Sequence, residues 1–200
     1  MKRQTHHIAN ALELPDCDIR YIPNFIEIVL ADTYFDYLLN NVAWQLDHIK
    51  IFGKTYPQPR LTALYGNNGK SYTYSNITMQ PKPYNHVIAD ISTLLKPYTE
   101  VEFTSCLLNL YRSGMDSNGW HADDEKELGR NPVIASVSLG QERYFHLKHK
   151  ERKDLRYKIL LEPGSLLIMQ GSTQHHWLHQ IPKSTKALGP RINLTYRSIN

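Results

Sequence analysis

The sequence is 200 residues long, enough for one domain with a core of its own, and its 23 Lys and Arg against 19 Asp and Glu leave a net charge of only +4. That excess permits a polyanionic partner without demanding one. Cys17 and Cys106 form no CxxC pair, no apolar run reaches membrane-spanning length, and no apolar segment follows the basic N-terminus; a zinc module, a disulfide scaffold, a membrane span and a secretory leader are therefore not expected, and a reducing compartment is.

In chain order, residues 24–42 predict a helix, with Leu30, Tyr34, Leu38 and Val42 at helical spacing and Phe35 and Leu39 beside them. Residues 84–95 predict a second helix, with a stripe of Val87, Ile88, Ile91, Leu94 and Leu95, stopped by Pro97. The pattern then changes to short β-branched and aromatic runs at 103–111, 133–139, 144–148, 157–161, 165–169 and 192–197. Pro163–Gly164 marks a turn between two of them. Helices followed by strands predict an α+β domain with a sandwich or barrel core. Arg143, Lys148, Lys150, Arg152, Lys153, Arg156 and Lys158 crowd one stretch, and Lys183, Lys186 and Arg191 follow.

His121 and Asp123 form an H-x-D pair, and in extended backbone residues two apart point to one side. A further His would complete a two-His-one-carboxylate triad of the kind that suits non-haem Fe(II). His175, His176 and His179 are the candidates, and the competing reading is a solvated acidic turn over Asp123, Asp124 and Glu125. Near the C-terminus Arg191, Asn193, Thr195 and Arg197 alternate with Ile192, Leu194 and Tyr196. A strand there would put two guanidiniums on one face, which suits either an exposed edge or a buried dicarboxylate held in bidentate geometry.

Four ordered motifs carry a resemblance: Asn109-Leu-Tyr111, His121-x-Asp123, Trp177-Leu-His179-x-Ile-Pro182 and Arg191-Ile-Asn193-Leu-Thr-Tyr-Arg197. Together they resemble the AlkB family of dealkylating dioxygenases, with weaker similarity reaching back to about Phe52. The resemblance implies a double-stranded β-helix (jelly-roll) core over about residues 100–200 of a single domain, flanked by N-terminal helices and by a nucleotide-recognition hairpin lid over about residues 45–85. It implies iron ligation by His121, Asp123 and His179, with His175 and His176 as neighbours. It implies that Asn109, Tyr111, Arg191, Asn193 and Arg197 hold 2-oxoglutarate, with Arg191 on the distal carboxylate and Arg197 near the metal-proximal one.

The upstream segment resembles the duplex-DNA-repairing homologues. Phe52 matches a wedge residue on a finger hairpin that includes Arg60, and Tyr72 and Tyr74 match an aromatic lid over the flipped base. Asp124 and Glu125 match carboxylates at the base edge, and Lys148, Lys150, Arg152, Lys153 and Lys183 match phosphate contacts. On pattern alone, core packing is the favoured reading of Phe52, Tyr72 and Tyr74. The implied activity is direct-reversal repair. Fe(II), 2-oxoglutarate and O₂ remove N-alkyl groups from bases such as N1-methyladenine and N3-methylcytosine, releasing aldehyde, succinate and CO₂. The expected partner is duplex DNA, with single-stranded DNA and RNA as alternatives, and the expected form is a monomer without membrane contact, in a bacterial cytoplasm or a eukaryotic nucleus. A 2-oxoglutarate oxygenase of a small molecule or a protein side chain is the more distant reading. A non-catalytic binding protein is disfavoured by the triad. The short N-terminal region contains no recognised partner-docking peptide.

Overall fold

The computed structural model describes residues 10–51, 53–69, 72–74 and 77–199. Its strands are β1 (Asn10–Ala11), β2 (Asp18–Ile22), β3 (His48–Ile51), β4 (Lys54–Pro57), β5 (Leu61–Gly66), β6 (Tyr72–Tyr74), β7 (Ile77–Met79), β8 (Ser105–Tyr111), β9 (Asn118–His121), β10 (Ile134–Gly140), β11 (Arg143–His149), β12 (Arg156–Leu161), β13 (Ser165–Gln170), β14 (Trp177–Ile181) and β15 (Arg191–Arg197). The helices are α1 (Ile28–Asn41), α2 (His86–Leu95) and α3 (Thr173–His176). A seven-stranded sheet runs β1-β2-β13-β10-β15-β8-β5 and a four-stranded sheet runs β12-β11-β14-β9, with neighbouring strands antiparallel throughout both. Two antiparallel sheets face to face make the jelly roll.

The two faces of the large sheet bury different things. Ile192, Leu194 and Tyr196 join Leu108, Val137 and Ile168 in one core with Tyr34 and Leu38 of α1 and Ile88 and Ile91 of α2. Leu107, Ile134 and Leu167 face the small sheet and pack with Phe145, Leu147 and Trp177 in a second core. Because strand side chains alternate, one run of β15 feeds the helix-side core while Arg191, Asn193, Thr195 and Arg197 point into the space between the sheets. All seven residues of β15 are buried, and the strand lies between β10 and β8. The exposed-edge reading of this segment is thereby excluded.

The helices differ from expectation in detail. Asn24 adopts a left-handed φ of 52°, and Ile26 N–H donates to Gly164 O at 2.9 Å, so residues 24–27 dock on the Pro163–Gly164 turn before α1 begins at Ile28. A Cβ on Gly164 (φ 72°) would lie 2.3 Å from Ile26 O, which is why this turn takes glycine. The buried side of α1 is Ala31, Tyr34 and Leu38, and Leu30 is 40% exposed, a correction to the predicted stripe. Small Ala31 lets the helix approach the turn; a Cβ at 164 would be 3.4 Å from its own. In α2 the Asn85 side chain accepts from Ile88 N–H at 3.0 Å as N-cap, and the helix ends at Leu95 in a 3₁₀ turn that contains Pro97. Strand β2 adds an N-terminal element to the large sheet that the helices-then-strands expectation lacked.

Hairpin β3–β4 occupies the expected finger segment, with Ile51 opposite Lys54, Gly53 at φ 79° and all of β4 exposed. Phe52 lies outside the described residues, as do the side chains of Tyr72 and Tyr74 on the β6–β7 hairpin. No described helix is long and apolar enough to cross a membrane.

Candidate metal centre

The small sheet brings the H-x-D pair to its third partner. β9 ends at His121, β14 carries His179, and the two are direct cross-strand partners. Asp123 follows β9, buried, with Oδ2 3.7 Å from His179 Nε2. One ligand atom from each of the three falls within 4.8 Å of the others. The imidazoles sit with ring centroids 4.2 Å apart, and Phe145 stacks on His179 at 5.1 Å.

The surrounding bonds fix each ligand. His121 Nδ1 lies 2.7 Å from Gly119 O and donates to it, which leaves the Nε2 lone pair outward; Asn118 Nδ2 now donates to that nitrogen at 3.1 Å. Asp123 N–H donates to Gln174 Oε1 at 2.9 Å, and Arg197 Nη2 donates to Asp123 Oδ1 at 2.5 Å. Burial would raise the Asp123 carboxyl, but Arg197 first, then His179 and His121, hold it down at about 2. Burial pushes His179 down to about 3, the neighbouring His121 adds to this, and Asp123 opposes it. His121 is lowered by burial as well. Both imidazoles are therefore neutral at neutral pH and the carboxylate is ionised, which is the protonation state a metal requires.

A pH dependence follows for the metal-free protein. His179 titrates near 3 when folded and near the ordinary 6.5 when unfolded, so its contribution to stability is complete above about pH 6.5 and is lost as pH falls towards 3. Urea midpoints measured at about pH 7.5 and about pH 5 should fall further for the wild type than for His179→Gln, which does not titrate. Equal falls would show that the burial of His179 carries no such linkage.

Beside the triad lies a polar cradle made by β8, β10 and β15. Register places Asn193 opposite Asn109 on one side and Ser138 on the other, and Arg191 opposite Tyr111. Asn193 Nδ2 donates to Ser136 Oγ at 2.8 Å and accepts at Oδ1 from Thr195 Oγ1 at 2.9 Å. Arg191 is 1% exposed; its Nη2 donates to Ser138 Oγ at 3.0 Å, its guanidinium carbon lies 5.2 Å from the Tyr111 ring centroid, and its Nε and Nη1 are buried with no hydrogen-bond partner among the described residues. Burial lowers even this guanidinium to about 10, partly offset by Tyr111. A buried cation with two idle donors fits a carboxylate. The triad, Arg191, Asn109, Tyr111, Asn193 and Arg197 line one pocket.

Several predicted residues fall elsewhere than their sequence position suggested. Arg60 precedes β5 and is not on the β3–β4 hairpin; it is buried in the metal pocket, with Nε donating to Asn109 Oδ1 at 2.7 Å. Asp124 is exposed and 3.5 Å from Lys150 Nζ, which also donates to the Gln174 carbonyl at 2.9 Å. Glu125 is half-buried beside it. Lys148 Nζ lies over Trp120 at 4.3 Å. Arg152, Lys153 and Lys183 are exposed. The basic run is not one surface, because β11 alternates: Arg143 and His149 point inward and are buried. Arg143 donates to the carbonyls of Ser113, Asp116 and Pro182 at 3.1, 3.0 and 2.7 Å and so pins the loop that leads into β9. Of the candidate third ligands, His175 lies 2.8 Å from Asn131 Oδ1 and His176 stacks on His149, both away from the pocket.

Gln174 was not anticipated, nor were Ser136 and Ser138. The serines had a signal in the sequence: two hydroxyls two apart within an otherwise apolar strand. Among the described residues a second His/Asp grouping exists, Asp16, His149 and His176. It does not suit a metal. His149 Nδ1 accepts from the Glu151 and Arg152 N–H groups at 3.2 and 3.0 Å, so the neutral ring carries its proton on Nε2, the atom that faces Asp16 at 3.4 Å.

A jelly roll with this donor set and a buried arginine beside it has the site layout of the non-haem iron oxygenases that take a 2-oxo acid. The family model of the 2OG-Fe(II) oxygenase superfamily matches residues 18–197. The chain is 43% identical over 186 residues to alpha-ketoglutarate-dependent dioxygenase alkB homolog 3 of Bos taurus, covering 88% of this chain and 64% of that protein. It is 38% identical over 179 residues to DNA oxidative demethylase ALKBH2 of Homo sapiens, covering 84% and 69% respectively. It thus spans somewhat under two thirds of the alkB homolog 3 relative and somewhat over two thirds of the ALKBH2 one. The solved structure of OsALKBH1 shares the fold, with a TM-score of 0.63 over 96% of this chain and 100% of that one at 18% identity. The chain belongs to the AlkB family of 2OG-Fe(II) oxygenases. The family implies Fe(II), 2-oxoglutarate and O₂, and the donor set and the idle Arg191 donors fit the first two.

Proposed function

We propose that this protein removes N-alkyl groups oxidatively from DNA bases, as a monomeric direct-reversal repair enzyme working wherever its DNA lies, in a bacterial cytoplasm or a eukaryotic nucleus. The observation that carries the reading is the placement of the His121–Asp123–His179 triad and the idle donors of Arg191 in one pocket. The name DNA oxidative demethylase borne by a 38% identical relative supports the choice of substrate.

With iron bound, the site supplies oxidation of a C–H bond coupled to decarboxylation of 2-oxoglutarate. One oxygen atom of O₂ ends in succinate and the other in an N-hydroxyalkyl group, which breaks to aldehyde and free base. His121, Asp123 and His179 would hold the metal, and Arg197 and Gln174 would keep Asp123 charged and aimed. Arg191 would take the distal carboxylate of the cosubstrate, with Asn109, Tyr111 and Asn193 around it. Arg60, through Asn109, borders the same space. Of residues 45–85, the β3–β4 and β6–β7 hairpins would form the recognition lid of a single domain, while β5 between them belongs to the large sheet; Phe52 would be the wedge, Tyr72 and Tyr74 the aromatic cover, with Asp124 and Glu125 at the base edge. Lys148, Lys150, Arg152, Lys153 and Lys183 would meet phosphates. The exposed strand β4 of the finger hairpin favours duplex DNA.

The test is mass spectrometry of oligonucleotides carrying N1-methyladenine or N3-methylcytosine after incubation with the protein, Fe(II), 2-oxoglutarate and O₂. Loss of one methylene mass from the duplex is expected, with single-stranded DNA and RNA as parallel substrates. Succinate formation with no change in any oligonucleotide would overturn the choice of substrate and leave the oxygenase class intact.

A further inference from the structure

The outer face of the small sheet carries chemistry that the metal pocket does not use. On β11 the outward side chains are Tyr144, His146 and Lys148, and register sets Lys158 opposite His146 and Arg156 opposite Lys148. Lys148 reaches across β14 to place Nζ 4.3 Å from the centre of the Trp120 ring on β9, and Lys158 Nζ lies 5.2 Å from the Tyr144 ring. Trp120 is 36% exposed and Tyr144 47%. Trp120, His146, Arg156, Tyr157 and Lys158 border one shallow open groove.

Lysines resting on rings are a common way to cover apolar surface. Two features go beyond that. The outward positions of β11 and the residues bordering the groove include Lys148, Arg156 and Lys158 but no carboxylate, so the charges at these positions are all positive. The groove also begins one residue from a metal ligand: β9 is the edge strand of the small sheet, and Trp120 is followed directly by His121. A ligand matched to both features has flat aromatic groups joined by regularly spaced anions. A duplex hides its base faces, whereas a single strand presents them for stacking beside its phosphates.

We propose that this outer face is a platform for single-stranded nucleic acid, on which unpaired nucleotides flanking the one in the metal pocket stack on Trp120 and Tyr144 while Lys148, Arg156 and Lys158 meet their phosphates. The proposal rests on the reading of DNA as substrate, concerns its single-stranded form, which the repair reading carries as a parallel substrate beside the duplex, and adds a path for that strand outside the pocket.

Its test uses the whole chain and an unmodified oligothymidylate of about ten nucleotides, a length within the range such surfaces cover. Binding should quench the fluorescence of exposed Trp120, and the quench should vanish in Trp120→Phe, which keeps half-buried Trp44 and buried Trp177. Trp120→Ala and Tyr144→Ala should each weaken binding about 5- to 100-fold, and Trp120→Phe should weaken it less because a ring remains. Joint Lys148→Gln and Lys158→Gln should lower the salt dependence by about 1.4 in the log–log slope. Tyr144→Ala should leave 2-oxoglutarate turnover without nucleic acid unchanged, which guards against misfolding. Unchanged oligothymidylate affinity in both alanine variants would overturn the platform, and so would an equal loss of duplex binding, which would make the face only a cationic surface. The two readings separate cleanly. A protein that strips methyl groups but ignores Trp120 and Tyr144 keeps the repair function and loses the platform. Ring-dependent binding in a protein that strips none keeps the platform and loses the repair function.

Discussion

Asp123→Ala should lower turnover more than a hundredfold and at the same time destabilise the metal-free protein by about 3 kcal/mol, two effects with different causes. The first is loss of a ligand. Changes outside the coordination shell cost about ten- to a hundredfold, and removing the carboxylate itself goes beyond that. The second comes from Arg197, whose guanidinium donates to Asp123 Oδ1 at 2.5 Å and is 4% exposed. Truncating one member of a buried pair leaves the other charge desolvated without its counter-ion, and such changes cost about 3–5 kcal/mol. The causes can be separated with Asp123→Ala/Arg197→Met, which removes both charges. Urea denaturation of the metal-free double variant should return most of the lost stability, while iron content and 2-oxoglutarate turnover stay at the level of the single variant. A double variant no more stable than Asp123→Ala would mean that Arg197 is held by its other surroundings and that the pair is not the anchor of this loop.

The carboxylate and its arginine show what the sequence makes legible. Both lie in segments of period two, and extended backbone turns that period into two faces without further information. The H-x-D pair and the alternation of Arg191, Asn193, Thr195 and Arg197 could thus be read before any fold was known. What the period cannot tell is whether a polar face meets water or a pocket. That depends on the neighbours of β15, which come from β8 and β10, about eighty and fifty residues away along the chain. The basic run fails for a related reason. Counting charges between residues 143 and 158 treats a strand as a surface, whereas β11 sends Arg143 and His149 inward and Lys148 outward. Applied there, period two would have predicted the division. Gln174 carried no such signal. It sits on a four-residue helix and reaches Asp123 N–H from 51 positions away, a contact that only the assembled fold specifies. The resemblance groups Arg60 with the hairpin, yet the chain turns into β5 immediately after it and buries it beside Asn109.

Arg191→Met separates binding from folding in the opposite sense. In the metal-free, cosubstrate-free protein the wild-type guanidinium is buried; among the described residues Nε and Nη1 have no acceptor and Ser138 Oγ accepts from Nη2, with Tyr111 partly offsetting the burial. Desolvating a cation so incompletely bonded opposes folding, and an apolar side chain of similar length should relieve it. The variant is expected to be more stable than the wild type by about 1–3 kcal/mol in urea without ligand. Its affinity for 2-oxoglutarate should fall by about two to three orders of magnitude, because the distal carboxylate would then be buried without a counter-ion. Added 2-oxoglutarate should therefore reverse the ranking. At a hundred times its dissociation constant it stabilises the wild type by about 2.7 kcal/mol, while the same concentration does little for the variant. The crossing of the two curves on titration is the diagnostic. A destabilised variant would mean that Arg191 is satisfied within the protein, and an unchanged cosubstrate affinity would place the distal carboxylate elsewhere. The residue is expected to be kept as arginine despite its cost to the empty fold, because the charge that strains the unliganded pocket is the one that selects a dicarboxylate.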